Sequence, residues 1–225
     1  MSGPGVSGPG VSRANLSRIV AVVPVRSLSG AKSRLGEPLD GEERADLVLA
    51  LLRRTVAAAL SSRRLYGVAV VSQDADLLAQ ARAMGAASLL QQSDGLNEGL
   101  TEARDSACGE ATALLVLPAD LPGVSAQAID RLAEAAAETA ARAPDRPVVV
   151  LVSDRHGTGT NALLIMPPDA IPFRFGEGSR AAHAAEAAAA GAAYVELDGP
   201  LSFDVDTPED LLEADRSGLG HEAGR

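Results

Sequence analysis

The stretch Ala113-Leu-Leu-Val-Leu-Pro-Ala-Asp-Leu-Pro-Gly123 decides the fold. Ala113–Leu117 is an unbroken apolar run, the pattern of a strand buried on both faces. Asp120 follows just past its end, where open α/β sheets bind their ligands. A second acidic segment lies far downstream, in Leu201-Ser-Phe-Asp-Val-Asp-Thr-Pro-Glu-Asp210. In extended backbone Asp204 and Asp206 project from the same face. Three carboxylates converging at one sheet edge repel one another unless a cation or a proton lies between them. Hard oxygen ligands suit Mg²⁺, which commonly takes substrate phosphates as further ligands. The alternative is structural: Asp204 and Asp206 cap the helix that follows, and Asp120 holds the turn before Pro122.

Outward from the central run, strands and helices alternate. Ile19–Val23 reads as a strand ended by Pro24, and Leu65–Ser72 as the next, with Ala86–Leu90 as a short third. Residues 42–60 have helical periodicity, with acids first and arginines later, as the helix dipole favours. Asp74 is the expected N-cap of a helix through Met84, and Asn97 of a helix to Cys108. Ser125–Ala143 and Ser179–Ala190 read as helices. Arg146–Ser153, Asn161–Met166 and Ala193–Leu197 read as strands. Thr207 caps a terminal helix, with Pro208 at its first position. Such alternation implies an α/β fold, a three-layer sandwich around a mostly parallel sheet. Ligands are then expected near Pro24, Ser72, Pro118 and Thr158.

The chain has 225 residues, 46% hydrophobic and only 2% aromatic, enough for one domain with an aliphatic core. The expected organisation is a disordered Gly/Pro-rich tail over 1–14, where SGPGV occurs twice, one domain over 15–216, and a loose tail over 217–225. A net charge of −10 argues against a nucleic-acid surface but leaves room for a mononucleotide in a local cationic pocket. Cys108 is the sole cysteine, so no intrachain disulfide forms, and it is expected as a small buried apolar residue. No stretch has the ~18 apolar residues of a membrane span, and the start lacks the apolar core of a secretory signal. A soluble cytoplasmic protein, monomer or homodimer, is expected.

Four loops hold polar groups where ligands should collect. Val23-Pro-Val-Arg-Ser-Leu-Ser-Gly-Ala-Lys-Ser-Arg-Leu-Gly36 carries Arg26, Lys32 and Arg34, cations suited to phosphates, among small residues that let backbone N–H groups approach. It has neither the dinucleotide fingerprint nor the Walker loop. Ser72-Gln-Asp74 offers groups for a purine edge, or only a helix cap. Ser93-Asp-Gly-Leu-Asn97 combines a turn with a helix start, and turn chemistry alone also explains it. Asp154–Asn161 supplies Thr158 and Thr160 between glycines. Phe175-Gly-Glu-Gly-Ser179 opens a helix whose first N–H groups suit an anion, or is a glycine turn with Ser179 as N-cap. His156 and His183 lack zinc-ligand spacing.

Taken in order, VPVRSLSGAKSRL, LPADLPG, GTGTNALL, FGEGS and LSFDVDTPEDL resemble the guanylyltransferases of deazaflavin-coenzyme biosynthesis that act on 2-phospho-L-lactate or phosphoenolpyruvate. The resemblance runs from Ile19 to about Leu212. It implies a nucleotide-diphospho-sugar transferase type of fold and transfer of GMP from GTP, with Mg²⁺, onto the phosphate of a small phosphorylated three-carbon acid. It implies Asp120, Asp204 and Asp206 as metal ligands. Thr160, Gly176 and Ser179 would hold the acid. Lys32 and Arg34 would face the triphosphate with Arg26 nearby, and Ser72, Gly95 and Asn97 would lie near the guanosine. The rivals are a nucleotidyltransferase for molybdopterin or a sugar phosphate, and a non-catalytic nucleotide-binding protein. Scarce aromatic residues favour a small acid over a large stacked acceptor.

Overall fold

The computed structural model describes residues 18–25, 41–107 and 109–205. The tails at 1–14 and 217–225, Arg26, Lys32, Arg34, Cys108, Asp206 and the helix expected after Thr207 lie outside the described residues. The strands are β1 (Ile19–Pro24), β2 (Leu65–Ser72), β3 (Ala87–Leu90), β4 (Ala113–Val116), β5 (Val148–Ser153), β6 (Thr160–Met166) and β7 (Ala193–Glu196). The helices are α1 (Gly41–Ser61), α2 (Ala75–Ala83), α3 (Leu96–Ala107), α4 (Ala126–Arg142) and α5 (Ser179–Ala189).

The strands form one sheet in the order β3-β2-β1-β4-β6-β5-β7. All its pairings are parallel except those of β6, which runs antiparallel to β4 and to β5. The central run behaves as its composition demands: Ala113, Leu114, Leu115 and Val116 have no exposed surface. Alternate residues serve opposite layers. Ala113 and Leu115 pack with Leu52, Val56, Leu77, Ile129 and Leu132 of α1, α2 and α4. Leu114 and Val116 pack with Leu100 of α3 and Ala187 of α5. The result is the mostly parallel three-layer α/β sandwich. Among the described residues, no helix is long and apolar enough to cross a membrane.

Two features of this topology position a site. The chain leaves β1 for β2 on one side, while β4 lies on the other, so ligands are expected at the carboxyl ends of β1 and β4. The reversal of β6 also brings its first residues, Thr160 and Asn161, to the edge where β4 ends. Register confirms this, since Val116 lies opposite Leu163.

Candidate active site

Asp120 sits in the loop after β4, and a strap of residues 199–205 folds back over that loop. The backbone N–H of Val205 donates to the Asp120 carbonyl at 3.0 Å, so Asp204 and Asp120 come to the same sheet edge. Val205 and Leu201 turn inward and are buried. Gly123 makes this closure possible. A Cβ there would lie 2.7 Å from the Pro200 carbonyl carbon and nearer still to its oxygen. From α1, the buried Thr55 hydroxyl donates to the Ala119 carbonyl at 3.3 Å and holds the start of the loop. The Arg155 guanidinium lies 4.8 Å over the Phe203 ring and steadies the strap from the other side.

Asn161 ties the strap to the sheet. Its side-chain amide donates to the Leu201 carbonyl at 3.0 Å and reaches Asp204 Oδ1 at 3.5 Å. The register of β5 with β6 shifts here, Val152 facing Ala162 while Ser153 faces Thr160. Such a bulge re-aims side chains. Asn161 accordingly turns to the strap, whose Leu201 packs with the α1/α2/α4 layer, and Thr160 turns to α5.

The α5 side is built around His183, which is buried. Its Nε2 accepts the Arg174 backbone N–H at 2.9 Å, and its Nδ1 lies 3.0 Å from the Thr160 hydroxyl. The Phe175 ring meets it edge-on at 4.9 Å. Burial depresses the His183 pKa to about 4; Glu186 and a hydrogen bond to the Ser179 backbone oppose the shift, and Arg174 adds to it. The ring is therefore neutral at pH 7.

The expectation of free N–H donors at the start of α5 needs correction. Gly178, left-handed at φ 69°, is the N-cap, and Ser179 is the first helical residue. The Ser179 N–H donates to the Gly176 carbonyl at 3.2 Å and the Arg180 N–H to the Thr158 carbonyl at 3.1 Å. Ser179 itself is buried, while Gly176 is exposed with φ 132°, a conformation that favours glycine. Thr158 likewise serves its own loop: its N–H and hydroxyl donate to the Asp154 carboxylate at 2.8 and 3.2 Å. Burial alone would raise the Asp154 pKa, but the hydrogen bonds from Thr158 and Gly159 outweigh it and the net shift is downward.

At the other end of the edge, Ser72 closes β2. It is fully buried, and its hydroxyl accepts the Asp74 N–H at 3.1 Å. Asp74 caps α2 as expected, accepting from the Asp76 and Leu77 N–H groups. The turn before α3 is cross-tied, Gln91 donating to the Ser93 carbonyl at 2.9 Å and to the Gly95 carbonyl at 2.7 Å. Asn97 is not the cap of α3, which starts at Leu96. Its amide instead donates to the Phe175 carbonyl at 3.0 Å and accepts the Phe175 N–H at 2.8 Å. This amide thus ties the Ser93–Asn97 segment to the Phe175–Ser179 segment. Sequence reasoning gives Asn161 no role and leaves His183 open between facing the ligand and facing the sheet.

Among the described residues, no group of three or more His, Cys, Asp or Glu side chains forms a metal cluster. Asp206, the third expected ligand, lies outside them. The carboxylates at this edge, Asp120 and Asp204, offer only oxygen, a donor set that fits a hard cation.

Residues 19–223 match the family described as "Guanylyl transferase CofC like". The chain belongs to this family. With it, the chain is a nucleotidyltransferase. A relative from Rubrobacter xylanophilus, named phosphoenolpyruvate guanylyltransferase, is 46% identical over 202 residues, covering 89% of this chain and 95% of its own. One of the same name from Mycolicibacterium gilvum is 37% identical, with 88% and 90% covered. The fold of this CofC-like chain is also that of more distant solved structures. A Desulfovibrio desulfuricans G20 protein, described as a candidate nucleotide-diphospho-sugar transferase, superposes with TM-score 0.71 at 16% identity, covering 92% and 90% of the two chains. A nucleotidyl transferase from Methanothermobacter superposes with TM-score 0.59 at 18% identity, covering 90% and 97%.

Proposed function

We propose that this chain moves GMP from GTP onto the phosphate of phosphoenolpyruvate, releasing pyrophosphate, as a step of deazaflavin-coenzyme biosynthesis in the cytoplasm. The names of the Rubrobacter and Mycolicibacterium relatives support the acceptor. The observation that carries the site is the Val205–Asp120 backbone hydrogen bond, which draws two carboxylates 84 positions apart in sequence to one sheet edge.

Asp120, Asp204 and Asp206 would hold Mg²⁺, which when bound neutralises charge on the reacting phosphates. Lys32 and Arg34, with Arg26, would pair with the triphosphate. Ser72, Gly95 and Asn97 would lie along the guanosine, where Asn97 acts through the backbone it holds. Thr160, Gly176 and Ser179 would hold the acid's carboxylate. The acceptor phosphate is already anionic at neutral pH, so its attack on the α-phosphorus needs no general base. A buried neutral His183 is consistent with that, since it is placed to orient rather than to remove a proton. The chain's contribution is alignment: two anions held in line, with water kept from the reacting atoms.

The test is pyrophosphate release from GTP, with and without Mg²⁺, against phosphoenolpyruvate, 2-phospho-L-lactate and 3-phosphoglycerate. Release should require GTP, metal and acid together, with the highest kcat/KM for phosphoenolpyruvate. Equal turnover with ATP, or release without any acid, would overturn the proposal.

A further inference from the structure

The Thr160–His183 pair has a direction. The Arg174 N–H points at His183 Nε2, 2.9 Å away, so that nitrogen must present its lone pair. A neutral imidazole then carries its proton on Nδ1. Nδ1 lies 3.0 Å from Thr160 Oγ1 and its N–H is shared with the Ser179 backbone carbonyl one turn earlier, so the Thr160 hydroxyl proton must point away from the ring. Among the described residues the Thr160 hydroxyl makes no other hydrogen bond, and the residue keeps 8% of its surface exposed.

We infer that His183 is a positioning residue for acceptor specificity: it fixes the Thr160 hydroxyl as an outward donor and anchors the Arg174–Phe175 backbone, selecting an acid that offers only acceptor oxygens. Asn97 grips the next residue of that segment at both its N–H and its carbonyl, so the backbone facing the acid is fixed at two successive positions. The inference rests on the reading of Thr160 as an acid contact.

The experiment separates the two. Thr160→Val removes the hydroxyl at nearly constant shape and should raise the acid's KM about ten-fold or more, the loss of a hydrogen bond to a charged group, with the KM for GTP little changed. His183→Phe should raise the acid's KM comparably in the wild-type background, but add under three-fold in the Thr160→Val background, because its action runs through that hydroxyl. His183→Gln should rescue most of the effect, its carbonyl accepting from Arg174 and its NH₂ donating to Thr160. If Thr160→Val alone leaves the acid's KM unchanged, the acid-contact reading fails and the inference with it. If Thr160→Val acts but His183→Phe multiplies with it, or raises both KM values equally, the inference alone fails and His183 is only a packing residue. A readout independent of variant folding is ¹⁵N NMR of the wild-type imidazole at neutral pH. Protonation at Nδ1 is required, and protonation at Nε2 would overturn the inference.

Discussion

Replacing Gly123 with Ala adds one methyl group at the joint between the β4 loop and the strap. The added Cβ would stand 2.7 Å from the Pro200 carbonyl carbon, against the 3.4 Å or more of an ordinary contact, so the strap must retreat by at least about 0.7 Å. The obstacle is backbone on both sides, with no flexible side chain to swing aside. Overpacking of this kind typically costs about 1–3 kcal/mol. For a domain of this size that lowers Tm by roughly 2–4 °C per kcal/mol. The functional consequence is larger, because Asp204 rides on the same strap four residues after Pro200. A displacement near 1 Å at a reacting centre costs up to about 100-fold in rate. We expect kcat to fall about 10–100-fold and the Mg²⁺ concentration for half-maximal rate to rise, while the acid's KM, which the proposed function assigns to the α5 side, moves little. Pyrophosphate release across a Mg²⁺ titration, beside a thermal melt, measures all three. A lowered Tm with wild-type metal dependence would show that the strap packs against Gly123 without placing Asp204, and the reasoning would be wrong.

Other expectations follow from the same geometry. Asp120→Asn and Asp204→Asn each remove an anionic oxygen at nearly constant volume; both should lose at least about 10–100-fold in turnover with Tm maintained, and wild-type rates at limiting Mg²⁺ would refute the metal site. Asn161→Leu leaves the Leu201 carbonyl unpaired and frees the strap from β6, so it should destabilise by about 1–3 kcal/mol in urea and weaken Mg²⁺ dependence several-fold; an unchanged unfolding midpoint would count against it. The pH dependence of stability has a definite sign. The unfolded chain protonates His183 near 6.5, whereas the folded chain resists until about 4. Stability is therefore full above pH 6.5 and falls as pH drops toward 4, by about 3 kcal/mol at about 1.4 kcal/mol per pH unit. His183→Gln should flatten that part of the profile; identical slopes in both proteins would show that the ring does not resist its proton.

Much of this fold is legible in the sequence because its strands need little tertiary context. Ala113–Val116 and Val148–Ser153 are apolar runs that can only be buried, and Asp74 caps α2 by a purely local hydrogen bond. What the sequence hid depends on pairing. Nothing in Thr160–Met166 says that this strand runs backwards between β4 and β5. After Thr160 and Asn161 its residues are apolar on both faces, so a parallel and an antiparallel neighbour leave the same pattern. Asn97 reads as a cap because Asn before a helical run commonly is one; its partner, Phe175, is 78 positions away.

The two acidic segments, by contrast, could be read as partners, and the reason is electrostatic rather than topological. Apolar residues near a sheet are ambiguous, since every layer offers them a home. A carboxylate beside a buried strand has few homes, and Asp204 has one only because three other residues give it that position: Gly123 by being small, Val205 by its backbone N–H, and Asn161 by its amide. None of the three looks chemical in sequence. Gly123 reads as a turn, Val205 as core and Asn161 as the start of a strand. The same division holds on the α5 side, where Thr160 is legible as a hydroxyl beside glycines but the residue that orients it, His183, reads as an unpaired histidine in an Ala-rich helix. The groups proposed to meet substrate are thus visible as chemistry, while the groups that aim them are visible only as packing. Exchanging the aiming residues should therefore change which metal concentration or which acid the site prefers before it abolishes turnover.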